Sequence, residues 1–162
     1  FSSLPYLEGW SMGKRRVVKD IDVLHQKVQQ AETSQISKLF SQLLINTINQ
    51  REGAFGFAGN QVRIPRHVFT ALIGGKWRFY ANAVLIGQSG EKEVDSVEGC
   101  LSLPNESYQV KRYHWIALEH ELPNGNLQVD MYKEMDAIII QHELDHLNGI
   151  LISDHGIKQG EN

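Results

Sequence analysis

Two histidines four residues apart, His142 and His146, are the side chains of this sequence best suited to chemistry. On an α-helix, positions i and i+4 share a face, so both imidazoles can reach one metal ion. Glu143 can lie beside that ion without binding it, as a general base for metal-bound water should. The alternative is two hydrogen-bonded core histidines, which would leave Glu143 unexplained. The spacing therefore favours a metal site.

A divalent ion needs at least one more ligand, and the residues after the second histidine are poor candidates. The extended H-E-x-x-H motif of one protease class needs a third histidine where this sequence has Ile152. Asp154 and His155 follow the helix too closely for an obvious geometry. Upstream, Cys100 follows a glycine that would let the backbone approach a metal. A thiolate with two imidazoles leaves one position open for water, as in catalytic sites.

Length and composition limit the class of protein. The chain has 162 residues, which predicts one domain, with residues 1–11 as a processed end, an extension or a vector remnant. The net charge of -3 argues against a nucleic-acid binder, and residues 14–16 are interpreted as basic surface. No apolar run approaches the roughly 20 residues that span a bilayer. A single cysteine excludes an internal disulfide and is compatible with a reducing compartment.

The periodicity of apolar residues predicts two long helices. Residues 33–50 form an amphipathic pattern, with Thr33 or Ser34 as the expected N-cap. The last helix is expected at about 134–147, and Asn148 and Gly149 should close it. We expect an extended segment over residues 151–154.

Strands are predicted between these helices. Residues 77–86 and 108–121 each have the pattern of one strand, and a turn at 123–126 predicts a hairpin with a strand at 127–131. The glycine-rich residues 53–61 predict a loop or irregular strand that something approaches closely. Because strands and helices do not alternate regularly, the fold class is expected to be α+β.

Two segments around the candidate ligands resemble motifs of the peptide deformylase family. Residues 98–102 (EGCLS) and 141–147 (QHELDHL) are similar to its second and third motifs. Its first motif, G-x-G-x-A-A-x-Q, corresponds to residues 54–61 (AFGFAGNQ), where the first glycine is alanine and the second alanine is glycine. The motifs occur in the family's order and spacing. The resemblance implies antiparallel strands around a central helix that carries H-E-x-x-H.

The resemblance also implies an activity, a metal-dependent removal of the N-formyl group from formyl-methionyl nascent peptides with release of formate. Three residues are implied as metal ligands: Cys100, His142 and His146. Metal-bound hydroxide would attack the formyl carbon, while Glu143 takes a proton from the water and delivers it to the leaving amine. The side chain of Gln61 and the backbone N–H of Leu101 would stabilise the oxyanion.

Substrate binding is implied as well, with the peptide extended and its backbone paired near two segments. The residues implied in this pairing are Phe55, Gly56, Val97 and Gly99. An apolar pocket for the methionine would be lined by Phe55, Met135, Ile138 and Ile139. Arg112 is expected to pair with Glu98 and brace the loop around Cys100, and Asp145 is interpreted as structural.

The identity of the metal has two sources of evidence. The ligand types alone suit Zn²⁺, and general affinity favours Zn²⁺ or Ni²⁺ over Fe²⁺. The family resemblance implies Fe²⁺ as the native ion, with Zn²⁺, Ni²⁺ or Co²⁺ able to replace it.

Some residues depart from the family pattern. Asn82 and Ala83 stand where the family has Asn-Pro, and Ser107 stands where a basic residue is common. The short C-terminus resembles compact phage and organellar forms. The resemblance implies a monomer acting on nascent peptides near the ribosome exit. Its place would be the cytoplasm of a bacterium or phage-infected host, or an organelle. Two alternatives stay open, a zincin-like metalloprotease with a downstream ligand and a catalytically silent homologue.

Overall fold

The computed structural model describes residues 16–50 and 54–160, with side chains of residues 48–50 excepted. Within these residues the helices are α1 (Ile21–Leu24), α2 (Ile36–Gln50), α3 (Glu134–Leu147) and α4 (Ile152–His155). The strands are β1 (Gly56–Ala58), β2 (Val68–Ile73), β3 (Lys76–Ala81), β4 (Val84–Gln88), β5 (Val94–Cys100), β6 (Leu103–Arg112), β7 (Trp115–Glu121), β8 (Leu127–Lys133) and β9 (Ile157–Lys158). The predicted α+β class is confirmed. The predictions for residues 1–11, Lys14, Arg15 and Gly53 fall outside the described residues.

The strands form three antiparallel sheets of three strands each, in the orders β1-β2-β3, β4-β7-β8 and β5-β6-β9. Strands β1 and β5 are therefore both edge strands. An edge strand presents backbone N–H and C=O groups that an added strand can pair with. Residues of both edges line the same cleft.

Helix α3 lies at the centre of the largest apolar cluster, as the resemblance implied. Its Ala137, Ile140 and Leu144 pack with residues of β2 and β7, including Phe69 and Leu118. Burying an apolar side chain of this size contributes about 1.5–3 kcal/mol. The helix that carries H-E-x-x-H is therefore fixed by its own opposite face.

Helix α2 supports the glycine-rich segment. Leu39 and Leu43 are fully buried against Phe57, Val62 and other residues of the second cluster. The expected N-cap at Thr33 or Ser34 is wrong, because a 3₁₀ turn at Thr33–Gln35 precedes the helix. The Thr33 hydroxyl donates to the Glu121 carboxylate, so it is engaged by a distant strand.

Each of the two long predicted strands is two strands in the structure. The first is interrupted at Asn82, whose φ of 50° ends β3 before β4 begins. The Asn82 side chain stabilises this break by bonding to the N–H and C=O of Ala31 at 2.8 Å each. The second is interrupted between Arg112 and Trp115, where β6 ends and β7 begins. The predicted hairpin is confirmed as β7 and β8.

The end of α3 agrees with the prediction and the segment after it does not. Gly149 follows the helix with a φ of 75°, and a Cβ there would lie 2.3 Å from the His25 carbonyl oxygen. Residues 151–154 are not extended, because α4 begins at Ile152. The Asp154 carboxylate accepts the Leu151 N–H at 2.7 Å, and this contact caps α4.

Candidate active site

Three potential ligands come together between α3 and the end of β5. One ligand atom each from Cys100, His142 and His146 lies within 4.8 Å of the other two. The Cys100 Sγ and the His146 Nε2 are 3.2 Å apart. A thiolate and two imidazoles at this separation fit a divalent transition metal. Within the described residues, no other three His, Cys, Asp or Glu side chains form such a group.

The downstream residues considered as alternative ligands lie elsewhere. The Asp154 carboxylate contacts the His25 Nε2 at 3.0 Å. The His155 Nε2 is 3.7 Å from the Asp145 carboxylate. Neither residue belongs to the ligand cluster. Among the described residues, none after the helix therefore joins the ligand cluster as a zincin-like site would require.

A buried ionic network lies behind the cluster. Arg112 is 1% exposed and donates two hydrogen bonds to Glu98, at 2.9 and 2.7 Å, and a third to Asp145 at 2.6 Å. Glu98 also contacts the His142 Nδ1 at 2.8 Å. Burial acts to raise the pKa of Glu98, but the bonds from Arg112 and His142 outweigh it and lower that pKa to about 2. An ionised Glu98 makes His142 Nδ1 the donor and leaves Nε2 for a metal.

Glu143 occupies a second buried position beside the cluster. It is 4% exposed, and among the described residues its Oε1 has no hydrogen-bond partner. Burial raises the pKa of Glu143 to about 7. The backbone of Gly56 lies close by, since a Cβ there would be 3.1 Å from the Glu143 Oε2 and 2.6 Å from the Thr70 carbonyl oxygen. A carboxyl group with this pKa can exchange protons near neutral pH.

The Gln61 side chain is fixed at both ends of its amide. Its Oε1 accepts the Ala58 N–H at 2.9 Å. Its Nε2 donates to the Ser102 hydroxyl at 3.1 Å and lies 3.5 Å from the Cys100 Sγ. The amide nitrogen therefore faces the ligand cluster from the 3₁₀ turn at Gly59–Val62.

The altered first motif has a physical reason at Gly59. A Cβ at Gly59 would lie 2.6 Å from the Ile64 carbonyl oxygen and 3.2 Å from that of Arg66. The Ile64 N–H donates back to the Gly59 carbonyl at 2.8 Å, so these two backbone segments are held in close contact. The alanine of the family pattern would not fit here without a shift of the backbone.

A cleft of about 430 Å³ opens beside the cluster and between the edges of β1 and β5. Its apolar rim includes Phe55, Val97 and Met135, each more than half exposed. Apart from His146 and Arg112, every residue predicted for the site lines this cleft: Phe55, Gly56, Gln61, Val97, Glu98, Gly99, Cys100, Leu101, Met135, Ile138, Ile139, His142 and Glu143. His146 belongs to the ligand cluster, and Arg112 lies behind Glu98.

Sequence reasoning missed several residues of the site. The Asn60 side chain donates to the His146 carbonyl at 2.8 Å and ties the 3₁₀ turn to α3. Asp145, interpreted from the sequence only as structural, forms an ion pair with Arg112 in the network behind the ligand cluster. Asp145 was detectable, because position i+3 from His142 lies near the same helix face. Asn60 and residues 104–106, which also line the cleft, carried no comparable signal.

A buried glutamate beside two helical histidines and a cysteine, at an apolar cleft, is the arrangement of a metal-dependent hydrolase. The family model described as polypeptide deformylase matches residues 15–162. The chain belongs to the polypeptide deformylase family, and the resemblance of its motifs is confirmed. Its family function is the metal-dependent removal of the formyl group from nascent peptides. The zincin-like alternative is not supported.

Relatives agree in sequence and in fold. Peptide deformylase 1 of Clostridium perfringens is 37% identical over 120 residues, covering 73% of this chain and 80% of that protein. Peptide deformylase of Acetivibrio thermocellus is 30% identical over 144 residues, which cover 89% of this chain and 78% of that protein. The crystal structure of peptide deformylase from Thermotoga maritima matches with a TM-score of 0.78 and 26% sequence identity. The match covers 90% of this chain and 97% of that chain. No described helix is long and apolar enough to cross a membrane.

Proposed function

We propose that this chain is a catalytically active deformylase. The observation that carries the proposal is the position of three groups around one end of the cleft. These are the ligand cluster, the Glu143 carboxyl group and the Gln61 amide. Each chemical role proposed for hydrolysis of a formyl amide can be assigned to a residue of the cleft or the ligand cluster, which supports an active enzyme over a silent homologue despite the altered first motif.

Cys100, His142 and His146 would hold the metal, which would act as a Lewis acid on the attacking water and on the formyl group. Glu143 accepts a proton from the attacking water and delivers it to the leaving nitrogen, a role that its buried position beside the ligand cluster suits. The Gln61 Nε2 and the Leu101 backbone N–H donate to the formyl oxygen as negative charge develops there.

The network behind the cluster orients these groups. Glu98 fixes the ring of His142 through its Nδ1, and Arg112 fixes Glu98 from the opposite side. The same Arg112 contacts Asp145 and thereby ties β6 to α3. We propose that this chain of contacts sets the position of His142 relative to Cys100.

The substrate lies extended between two free strand edges. Its backbone pairs with β1 near Gly56 and with β5 near Val97 and Gly99, as an added strand would. The methionine side chain enters the apolar end of the cleft, formed by Phe55, Met135, Ile138 and Ile139. Backbone pairing contributes affinity and little sequence preference.

The native ion is Fe²⁺ in this proposal, and Zn²⁺, Ni²⁺ or Co²⁺ can replace it at the same three ligands. The protein acts as a monomer with one catalytic domain on nascent chains near the ribosome exit. Its place is the cytoplasm of a bacterium or phage-infected host, or an organelle.

Formate release from a formyl-methionyl peptide by Ni²⁺- or Fe²⁺-loaded protein tests the proposal. We expect turnover by the wild type, and a loss of about 100- to 10,000-fold in Glu143→Ala with the metal content unchanged. Glu91→Ala, which removes an exposed glutamate outside the cleft, is the matched control. A metal-loaded wild type without formate release would identify a silent homologue. Unchanged metal affinity in Cys100→Ser would refute the ligand assignment.

A further inference from the structure

We propose that Glu106 makes the cleft select formyl-methionyl peptides that carry a lysine or arginine shortly after the methionine. The proposal rests on the proposed function and names a preference within its substrate class. It concerns the part of the cleft formed by residues 104–106, none of which has a role in the proposed catalytic mechanism.

The charges that line the cleft are unbalanced. Among the described residues, no lysine or arginine lines the cleft, whereas Glu98, Glu106 and Glu143 do. Glu98 is neutralised by Arg112, and Glu143 is deeply buried. Glu106 is half-buried, and no described lysine, arginine or histidine forms an ion pair with it. One uncompensated carboxylate therefore faces whatever enters the cleft.

An irregularity between β5 and β6 places Glu106 beside the catalytic segment. Gly99 pairs with Ser107, but the next residue, Cys100, pairs with Leu103, so residues 104–106 bulge out of the ladder. Asn105, within the bulge, has a left-handed backbone conformation with a φ of 63°. A Cβ on Gly99 would lie 3.7 Å from the Glu106 carbonyl oxygen. Glu106 is therefore adjacent in space to the residue that precedes the Cys100 ligand.

The Glu106 carboxylate is also held in place. The hydroxyl of Tyr108, a residue that is 8% exposed, donates to the Glu106 Oε1 at 2.5 Å. This bond fixes the side chain while leaving the Oε2 without a protein partner among the described residues. A carboxylate that is already oriented loses less conformational entropy when it pairs with a substrate cation.

The path of the peptide brings the cation to this carboxylate. The methionine occupies the end of the cleft at Met135, Ile138 and Ile139, and the free edge of β5 directs the following backbone along the cleft. The bulge at residues 104–106 lines the same cleft, so side chains after the methionine pass within reach of Glu106. A contact between a half-buried carboxylate and a cation in an open cleft changes affinity by a few-fold and is weakened by salt.

The test compares formyl-Met-Xaa-Ala-amide and formyl-Met-Ala-Xaa-amide peptides with lysine, glutamine or glutamate at Xaa. We expect kcat/KM to fall by about three-fold from lysine to glutamine, and again from glutamine to glutamate, at one of the two positions. The difference should lie in KM, because the contact is equal in ground and transition states. It should shrink at high salt.

Variants of Glu106 decide the outcome. Glu106→Gln keeps an acceptor for the Tyr108 hydroxyl and should abolish the order of kcat/KM among the lysine, glutamine and glutamate peptides. Glu106→Lys should reverse that order. The exposed Glu91→Gln is the control and should leave it intact. Calorimetric binding of the same peptides to Glu143→Ala protein gives a readout without turnover. An identical ranking in wild type and Glu106→Gln would refute the role of Glu106, whereas absence of formate from every peptide would instead refute the proposed function.

Discussion

Helix α3 and the segment 55–62 both contribute residues to one cleft, and they are built in different ways. Helix α3 is regular, and its periodicity alone places His142, Glu143 and His146 toward the site while Ile140 and Leu147 face the core. The placement of these three side chains depends on their spacing along the helix. Their positions are fixed once the opposite face of the helix is buried.

The segment 55–62 contains a three-residue strand and a 3₁₀ turn, and backbone contacts determine its position. Gly56 lies against Thr70 and Glu143, and Gly59 lies against Ile64. Gln61 is then oriented by the Ala58 N–H and Ser102. The two histidines proposed as metal ligands are therefore positioned by helical periodicity, whereas the proposed oxyanion donor is positioned by close packing of the main chain.

The largest effect is expected from breaking the support of α3. Arg112→Met leaves the buried Glu98 carboxylate and the partly buried Asp145 carboxylate without their guanidinium partner, which should lower the free energy of unfolding by about 3–5 kcal/mol. Urea denaturation followed by circular dichroism measures this loss. The neighbouring Lys111→Met is the matched control, because its ion pair with Asp95 is exposed to solvent and contributes little to stability.

Equal losses in the two variants would contradict the importance of burial in this network. A loss in Arg112→Met together with an unchanged metal affinity would mean that the network supports the fold without orienting His142. The two measurements therefore separate stability from ligand positioning.

The next effect concerns the segment 55–62. Gln61→Glu retains the Oε1 that accepts the Ala58 N–H but removes the Nε2 donor. Losing one oxyanion donor raises the barrier by about 2.7–4 kcal/mol, so kcat should fall by about 100- to 1,000-fold. Single-turnover formate release measures it, and Ser102→Ala, which only loosens the amide, should cost less. A kcat within three-fold of wild type would remove Gln61 from the mechanism.

The contrast between the two regions also explains what the sequence could predict. The bounds of α3, the fold class and the grouping of Cys100 with the two histidines follow from local spacing and from a motif. The hairpin β7 and β8 likewise follows from a turn signal between alternating residues. The helix and the hairpin are each encoded by neighbouring residues, whereas Cys100 is grouped with the two histidines only through a separate motif.

The features that were missed depend on residues far apart in the sequence. Asn82 interrupts a strand because its side chain bonds to Ala31, 51 residues earlier. The hydroxyl of Thr33, expected to cap α2, bonds to Glu121, 88 residues later. The bulge that presents Glu106 is a mismatch in pairing between two strands. No local pattern could indicate contacts of this kind.

The smallest effect comes from restoring the family residues of the first motif one at a time. Gly59→Ala brings a Cβ to within 2.6 Å of the Ile64 carbonyl oxygen and should lower the free energy of unfolding by about 1–3 kcal/mol. Ala54→Gly, at a half-buried position, should cost less than about 1 kcal/mol. Urea denaturation of both variants measures the difference. Because Asn60 ties the same turn to His146, Gly59→Ala should also lower metal affinity. If Gly59→Ala were as stable as Ala54→Gly, backbone packing would not be what positions Gln61, and the distinction between the two regions would fail.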